Sequence, residues 1–153
     1  MELGTIERVI HVEAPPEVVF EVVSSPDHIT QWWPDDAHYE PLQGCNGDIV
    51  FGDPRAGGAV VAFTVVEVRP PETFSFRWTH SVGSTAAEGN SLLVTFELTP
   101  SGRGTRLRMT ETGFREMGWE VAVLEQQYNE HVTGWDFYLP RLAPYAAALA
   151  VRS

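Results

Sequence analysis

Hydrophobic and polar residues alternate from Thr5 to Glu13, with Ile6, Ile10 and Val12 on one side and Glu7, Val9, His11 and Glu13 on the other. That is the period of a half-buried strand. Pro15 and Pro16 stop the ladder and open a helix, because proline fits the first helical turn, and Val18, Val19, Val22 and Val23 give that helix a buried face. Ser25, Pro26 and Asp27 repeat the start signal with a hydroxyl cap, a proline and a carboxylate near the positive helix end. Ile29, Trp32 and Trp33 fall three and four apart, so this second short helix presents an aromatic end inward until Pro34 ends it.

Beyond Asp36 the pattern changes to strands separated by turn chemistry at Asn46-Gly47, Gly57-Gly58, Pro70-Pro71 and Ser101-Gly102-Arg103-Gly104. Strands are expected near 37–43, 48–52, 59–69, 73–80, 90–99 and 104–112, arranged as a meander. Phe74, Phe76, Trp78 and His80 are expected on one face, Leu92, Val94, Phe96 and Leu98 on another, and Leu107, Met109 and Glu111 on a third. Ser81 to Gly89 is small, polar and glycine-containing, which predicts a mobile loop. From about Glu120 the helical period returns, with Leu124, Tyr128, His131, Trp135, Leu139 and Leu142 along one stripe. Pro140 and Pro144 are expected to kink this long helix or end it early. The order of strand, two helices, six strands and a helix, with no repeat and no linker, predicts one α+β domain over residues 1–153.

Composition narrows the partners. Aromatic residues make up 11% of the chain, five of them Trp, and large rings serve both cores and ligand pockets. A net charge of −11 opposes phosphate backbones and anionic lipid, so neither nucleic acid nor a membrane surface is an expected partner. Arg103, Arg106 and Arg108 read as the outside of a strand and not as a nucleic-acid patch. Cys45 is the single cysteine, so no internal disulfide can form, and the N-terminus has neither a basic leader nor an apolar run. A cytoplasmic location is the default expectation.

No nucleophile elbow, phosphate loop or zinc signature is present, and His11, His28, His38, His80 and His131 are scattered without ligand spacing. Neither a metal nor a cofactor is expected. Glu111 and His131 are the polar exceptions on otherwise apolar stripes, and a buried group of either type needs a partner or a ligand. Should they meet, they could act as acid and base.

A set of segments, taken in order, resembles a known family. They are Ala14-Pro15-Pro16-Glu17-Val18-Val19-Phe20 after the first strand, Trp32-Trp33-Pro34, Val66 to Pro71 with Phe76-Arg77-Trp78 beyond, Leu107 to Gly113 with Phe114, and His131 with Gly134-Trp135. Each is weak alone, but together they are specific for a fold and unspecific for a ligand. The chain is similar over nearly its whole length to the START-like, helix-grip superfamily, in the branch resembling the C-terminal domain of the activator of heat-shock chaperone ATPase. The resemblance implies a seven-stranded curved antiparallel sheet around a long C-terminal helix, two short helices after strand one, and a cavity between sheet and helix. Proteins of this kind bind lipids, sterols, polyketides and aromatic natural products, and some catalyse cyclisation or dehydration. The eukaryotic relative works beside a separate chaperone-binding domain for which this chain has no room, so a chaperone partner is not expected.

The leading expectation is a carrier or sequestering protein for a small hydrophobic or aromatic molecule. The alternatives are a cyclase, dehydratase or hydrolase acting in the same cavity, and a protein-interaction domain linked to a chaperone. The residues expected at the cavity are Trp32, Trp33, Phe63, Phe76, Trp78, Phe96, Glu111, Tyr128, His131 and Trp135. A homodimer is left open.

Overall fold

The computed structural model describes residues 3–152. Seven strands form one antiparallel sheet in the order β1-β7-β6-β5-β4-β3-β2, so the last strand pairs with the first and the others follow as a meander. The strands are β1 (Thr5–Val12), β2 (Asp36–His38), β3 (Asn46–Phe51), β4 (Ala59–Arg69), β5 (Thr73–Trp78), β6 (Leu92–Ser101) and β7 (Gly104–Thr112). Helices α1 (Pro16–Ser24) and α2 (Pro26–Ile29) follow β1, and α3 (Val121–Arg152) follows the sheet. This is the helix-grip arrangement.

The alternation that marks the strands also fills the concave side. Ile6 and Val12 of β1, Phe63 and Val65 of β4, Phe74 and Phe76 of β5, Val94 and Phe96 of β6, and Leu107 and Met109 of β7 are almost entirely removed from water. Val19, Val22 and Val23 of α1, with Ile29 and Trp32, close one end of this core, and Trp135, Leu139, Leu142 and Ala146 of α3 close the long side. Side-chain links fasten α3 along its length, three of them outside the buried core. Tyr128 Oη donates to the Thr5 carbonyl at 2.8 Å, Arg8 Nε donates to Asp136 Oδ1 at 2.7 Å, and Tyr145 Oη lies 2.6 Å from His28 Nδ1. The Arg8 guanidinium holds the Asp136 carboxyl below its usual range, because it hydrogen-bonds the ionised form.

Several expectations need correction. The second strand is three residues long, and Asn46-Gly47 opens β3 instead of turning the chain. The turn lies earlier, where Gly44 takes a φ of 86° and the Cys45 N–H reaches the Leu42 carbonyl at 3.0 Å. Gly47 faces its neighbours so closely that a Cβ would overlap the His38 carbonyl oxygen and the Tyr39 Cβ. Close approach selects glycine there. Ser25 occupies the N-cap of α2 without a side-chain cap bond, and α2 stops at Ile29, before Trp32 and Trp33.

The two prolines do not end α3, which continues as one helix of 32 residues. Pro140 and Pro144 sit on its exposed face, so the carbonyls they leave without an amide partner can turn to water while Leu139, Leu142 and Ala146 hold the other face down. His80 leaves the face of Phe74, Phe76 and Trp78. Thr79 takes a φ of 71°, which breaks the alternation, and His80 Nε2 then lies 3.3 Å from Thr64 Oγ1 on the opposite side of the sheet. Among the described residues no helix is long and apolar enough to cross a membrane.

Candidate functional site

Glu111 is fully buried, the one carboxylate among the described buried side chains. The period of β7 places it on the concave face with Leu107 and Met109, opposite Val94 of β6 and Ile6 of β1. A carboxylate in such a place is costly unless its lone pairs are matched. Three donors match them. Trp78 Nε1 at the end of β5 donates to Oε2 at 2.7 Å, Trp135 Nε1 on α3 donates to Oε1 at 2.8 Å, and His131 Nδ1 lies 2.9 Å from Oε1.

Indole nitrogen only donates, so both oxygens act as acceptors, and the matching tautomer of His131 carries its proton on Nδ1. His131 and Trp135 reach the same oxygen because they stand four apart on one helix, a single turn of rise. His131 Nε2 has no partner among the described residues and is not among the sealed, unpaired atoms, so it keeps contact with solvent. The ring packs against Trp78 with centroids 5.2 Å apart and against Phe114 at 5.4 Å.

Beside this cluster lies a cleft of about 390 Å³, within the size range of small-molecule sites. Trp33, Trp78, Trp135, Phe51 and Tyr138 line it with rings, and His131 adds an imidazole. Trp33 is the keystone, with centroids 4.9 Å from Trp78, 5.0 Å from Trp135 and 5.9 Å from Phe51. Glu130, exposed, also lines it. Gly134 borders the space. It is an interior helix position, where glycine costs about 0.5–1 kcal/mol relative to alanine, and a Cβ there would meet nothing within 4 Å.

Of the ten residues expected at a cavity, Trp33, Trp78, His131 and Trp135 line this cleft, and Glu111 stands directly behind three of them. The others are placed elsewhere. Trp32 is sealed and donates to the Val22 carbonyl at 2.9 Å. Phe63, Phe76 and Phe96 are fully buried packing residues, with Phe63 and Phe76 stacked at 4.2 Å. Tyr128 packs on Phe114 and bonds to Thr5, away from the cleft. The concavity is therefore largely filled by its own rings, and the open space is confined to the mouth between β3, β5 and α3.

Phe51, Tyr138, Gly134 and Glu130 were not anticipated. Tyr138 follows Trp135 by three, so the helical stripe carried a signal for it. Phe51 is the last residue of β3, and nothing local distinguishes it. Among the described residues no group of three or more His, Cys, Asp or Glu is placed to hold a metal ion.

None of the curated proteins compared with the chain matches it. Solved structures do. A protein from Mesorhizobium loti superposes with a TM-score of 0.70 at 23% identity, covering 92% of this chain and 95% of that one. The Aha1 dimer from Colwellia psychrerythraea gives 0.64 at 20% identity, covering 91% and 92%. A protein of the dynemicin biosynthetic locus gives 0.67 at 24% identity, covering 93% of this chain and 46% of that longer one. At these identities the likeness is one of fold. The family model described as Activator of Hsp90 ATPase homolog 1-like protein matches residues 13–147, and the chain belongs to that family.

Proposed function

We propose that this protein binds a small, largely apolar molecule with a flat ring in the cleft between β3, β5 and α3. The observation that carries the reading is the cleft itself, a space of about 390 Å³ lined by three indoles and bordered by a glycine inside a helix. Burying a ring on such a surface gains roughly 25 cal/mol per Å² of apolar area, and offset or edge contacts between rings add to that. A molecule of one to three rings fits the volume.

Binding is favoured over turnover because of how few polar groups reach the space. Acid–base catalysis needs a donor and an acceptor converging on the reacting atoms. Here Glu111 is consumed by its three donors, and the polar groups on the lining residues besides those indoles are the His131 imidazole, the Tyr138 hydroxyl, the Trp33 indole N–H and the exposed Glu130. A few orienting contacts suit a carrier.

The test is titration with N-phenyl-1-naphthylamine, a neutral dye that fluoresces in apolar sites. Saturable dye emission with quenching of tryptophan is expected, since Trp33, Trp78 and Trp135 line the cleft. No saturation by this dye, together with no thermal stabilisation by a panel of neutral aromatic compounds, overturns the proposal.

A further inference from the structure

We propose that Glu111 and His131 make the inner end of this cleft a hydrogen-bond acceptor, so that the molecule it selects is a neutral aromatic compound bearing a hydroxyl group, a phenol or an enol. The inference rests on the cleft being the binding site and adds the polarity that the site reads.

The chain of reasons starts at the two tryptophans. Trp78 and Trp135 can only donate, and each takes one oxygen of Glu111, so the carboxylate is fixed as acceptor on both sides. His131 Nδ1, at 2.9 Å from Oε1, therefore supplies the proton in that contact. A neutral imidazole has one N–H, so its other nitrogen, Nε2, carries a lone pair. That nitrogen belongs to a residue lining the cleft, and it has no protein partner among the described residues. An O–H donor fills that vacancy, and an ether or ketone oxygen placed there meets lone pair with lone pair. The ring packs against Trp78 at 5.2 Å and against Phe114 at 5.4 Å, which restrains His131 from turning to offer a different edge.

Charge excludes the stronger acids. Glu111 lies behind the imidazole and Glu130 also lines the cleft, in a chain of net charge −11, so a carboxylate ligand approaches two acidic residues with no Lys or Arg lining the cleft. A hydroxyl brings the donor without the charge. Glu111 acts here as a positioning residue, which sets the tautomer and orientation of His131 without touching the ligand.

Calorimetric titration with three probes of one shape tests this: 2-naphthol, 2-methoxynaphthalene and 2-naphthoate. The unmodified protein is expected to bind 2-naphthol about tenfold more tightly than the methyl ether, the ratio one net hydrogen bond provides. 2-Naphthoate is expected to bind more weakly than 2-naphthol. His131→Phe is expected to bring naphthol and ether to equal affinity while both still bind. Equal affinities in the unmodified protein, or tighter binding of the ether or of 2-naphthoate, overturn the inference and leave the cleft reading standing. Binding of none of the three overturns both.

The imidazole of ¹⁵N-labelled protein gives a readout that needs no variant. Ring nitrogen shifts of His131 at neutral pH are expected to show the proton on Nδ1, with Nε2 moving when 2-naphthol is added and not when the ether is. A proton on Nε2 in the free protein, whether alone or together with one on Nδ1, overturns the inference.

Discussion

Trp135 of α3 donates its indole N–H to Glu111 of β7 over 2.8 Å, so the long helix is joined to the sheet through a buried carboxylate. Trp78 uses the other oxygen at 2.7 Å. An amide offers one acceptor oxygen where the two indoles require two, so Glu111→Gln leaves an N–H facing an N–H whichever way it is turned. A loss of about 1–3 kcal/mol is expected, the cost of leaving one buried polar group unmatched. Urea denaturation measures it, and an unchanged midpoint would show that water replaces the lost acceptor.

Gly134 faces open space at the middle of the cleft. Gly134→Leu removes the entropic cost of glycine in a helix, about 0.5–1 kcal/mol, and sends a side chain into the volume a ligand would take. Unchanged or higher thermal stability is expected together with loss of dye and naphthol binding. Retained binding in a folded Gly134→Leu protein would place the ligand elsewhere.

Tyr39 is buried against Phe63, with centroids 4.5 Å apart, and its hydroxyl donates to the Ser24 carbonyl at 2.7 Å. Burial pushes its ionisation far above the usual tyrosine range. Since the raised group keeps its proton in the folded state and loses it in the unfolded chain, its contribution is intact below about pH 10 and falls by about 1.4 kcal/mol per pH unit above that. Stability of the unmodified protein should fall more steeply with rising alkalinity than that of Tyr39→Phe. Parallel curves between pH 9 and 11 would refute this.

His80 behaves in the opposite sense. Desolvation lowers its ionisation, the Trp78 carbonyl partly offsets this, and the nearby Arg77 lowers it further. A lowered histidine is neutral in the folded state, while the unfolded chain takes up the proton near pH 6.5, so stability is lost as pH falls through that region. His80→Gln is expected to lessen the loss between pH 7 and 5, as read from melting temperatures across that range. An equal acid slope in both proteins would assign the loss to other groups.

The fold was legible because alternation and helical period report burial directly. β4 and β7 fall where their patterns place them, at 59–69 and 104–112. Asn46-Gly47 misled because glycine serves turns and close approaches alike, and only the neighbouring His38 and Tyr39 distinguish the two uses. His80 departs from the expected face because one positive φ at Thr79 turns it to the other side just past the end of β5, and no residue type announces that angle.

The polar pair was visible as an exception on two apolar stripes, and its partners, Trp78 and Trp135, were visible only as rings. What pattern could not supply was which rings fill the concavity and which border a space. Phe63, Phe76 and Phe96 look no different in sequence from Trp33 and Trp78, yet the first three are sealed. That distinction depends on how far the sheet curves and on how the helix sits over it.

The fastenings of α3 at Tyr128 and Tyr145 bracket the cleft residues from Glu130 to Tyr138, and a third at Asp136 falls among them. Lifting the helix to admit a guest would break links on both sides of the opening at once, a collective event on the microsecond to millisecond scale. Turning the half-buried Tyr138 and Phe51 at the edge breaks none of those three links and belongs to the much faster range of side-chain rotations. Side-chain rotation at these two lining rings is thus decoupled from the motions of the scaffold.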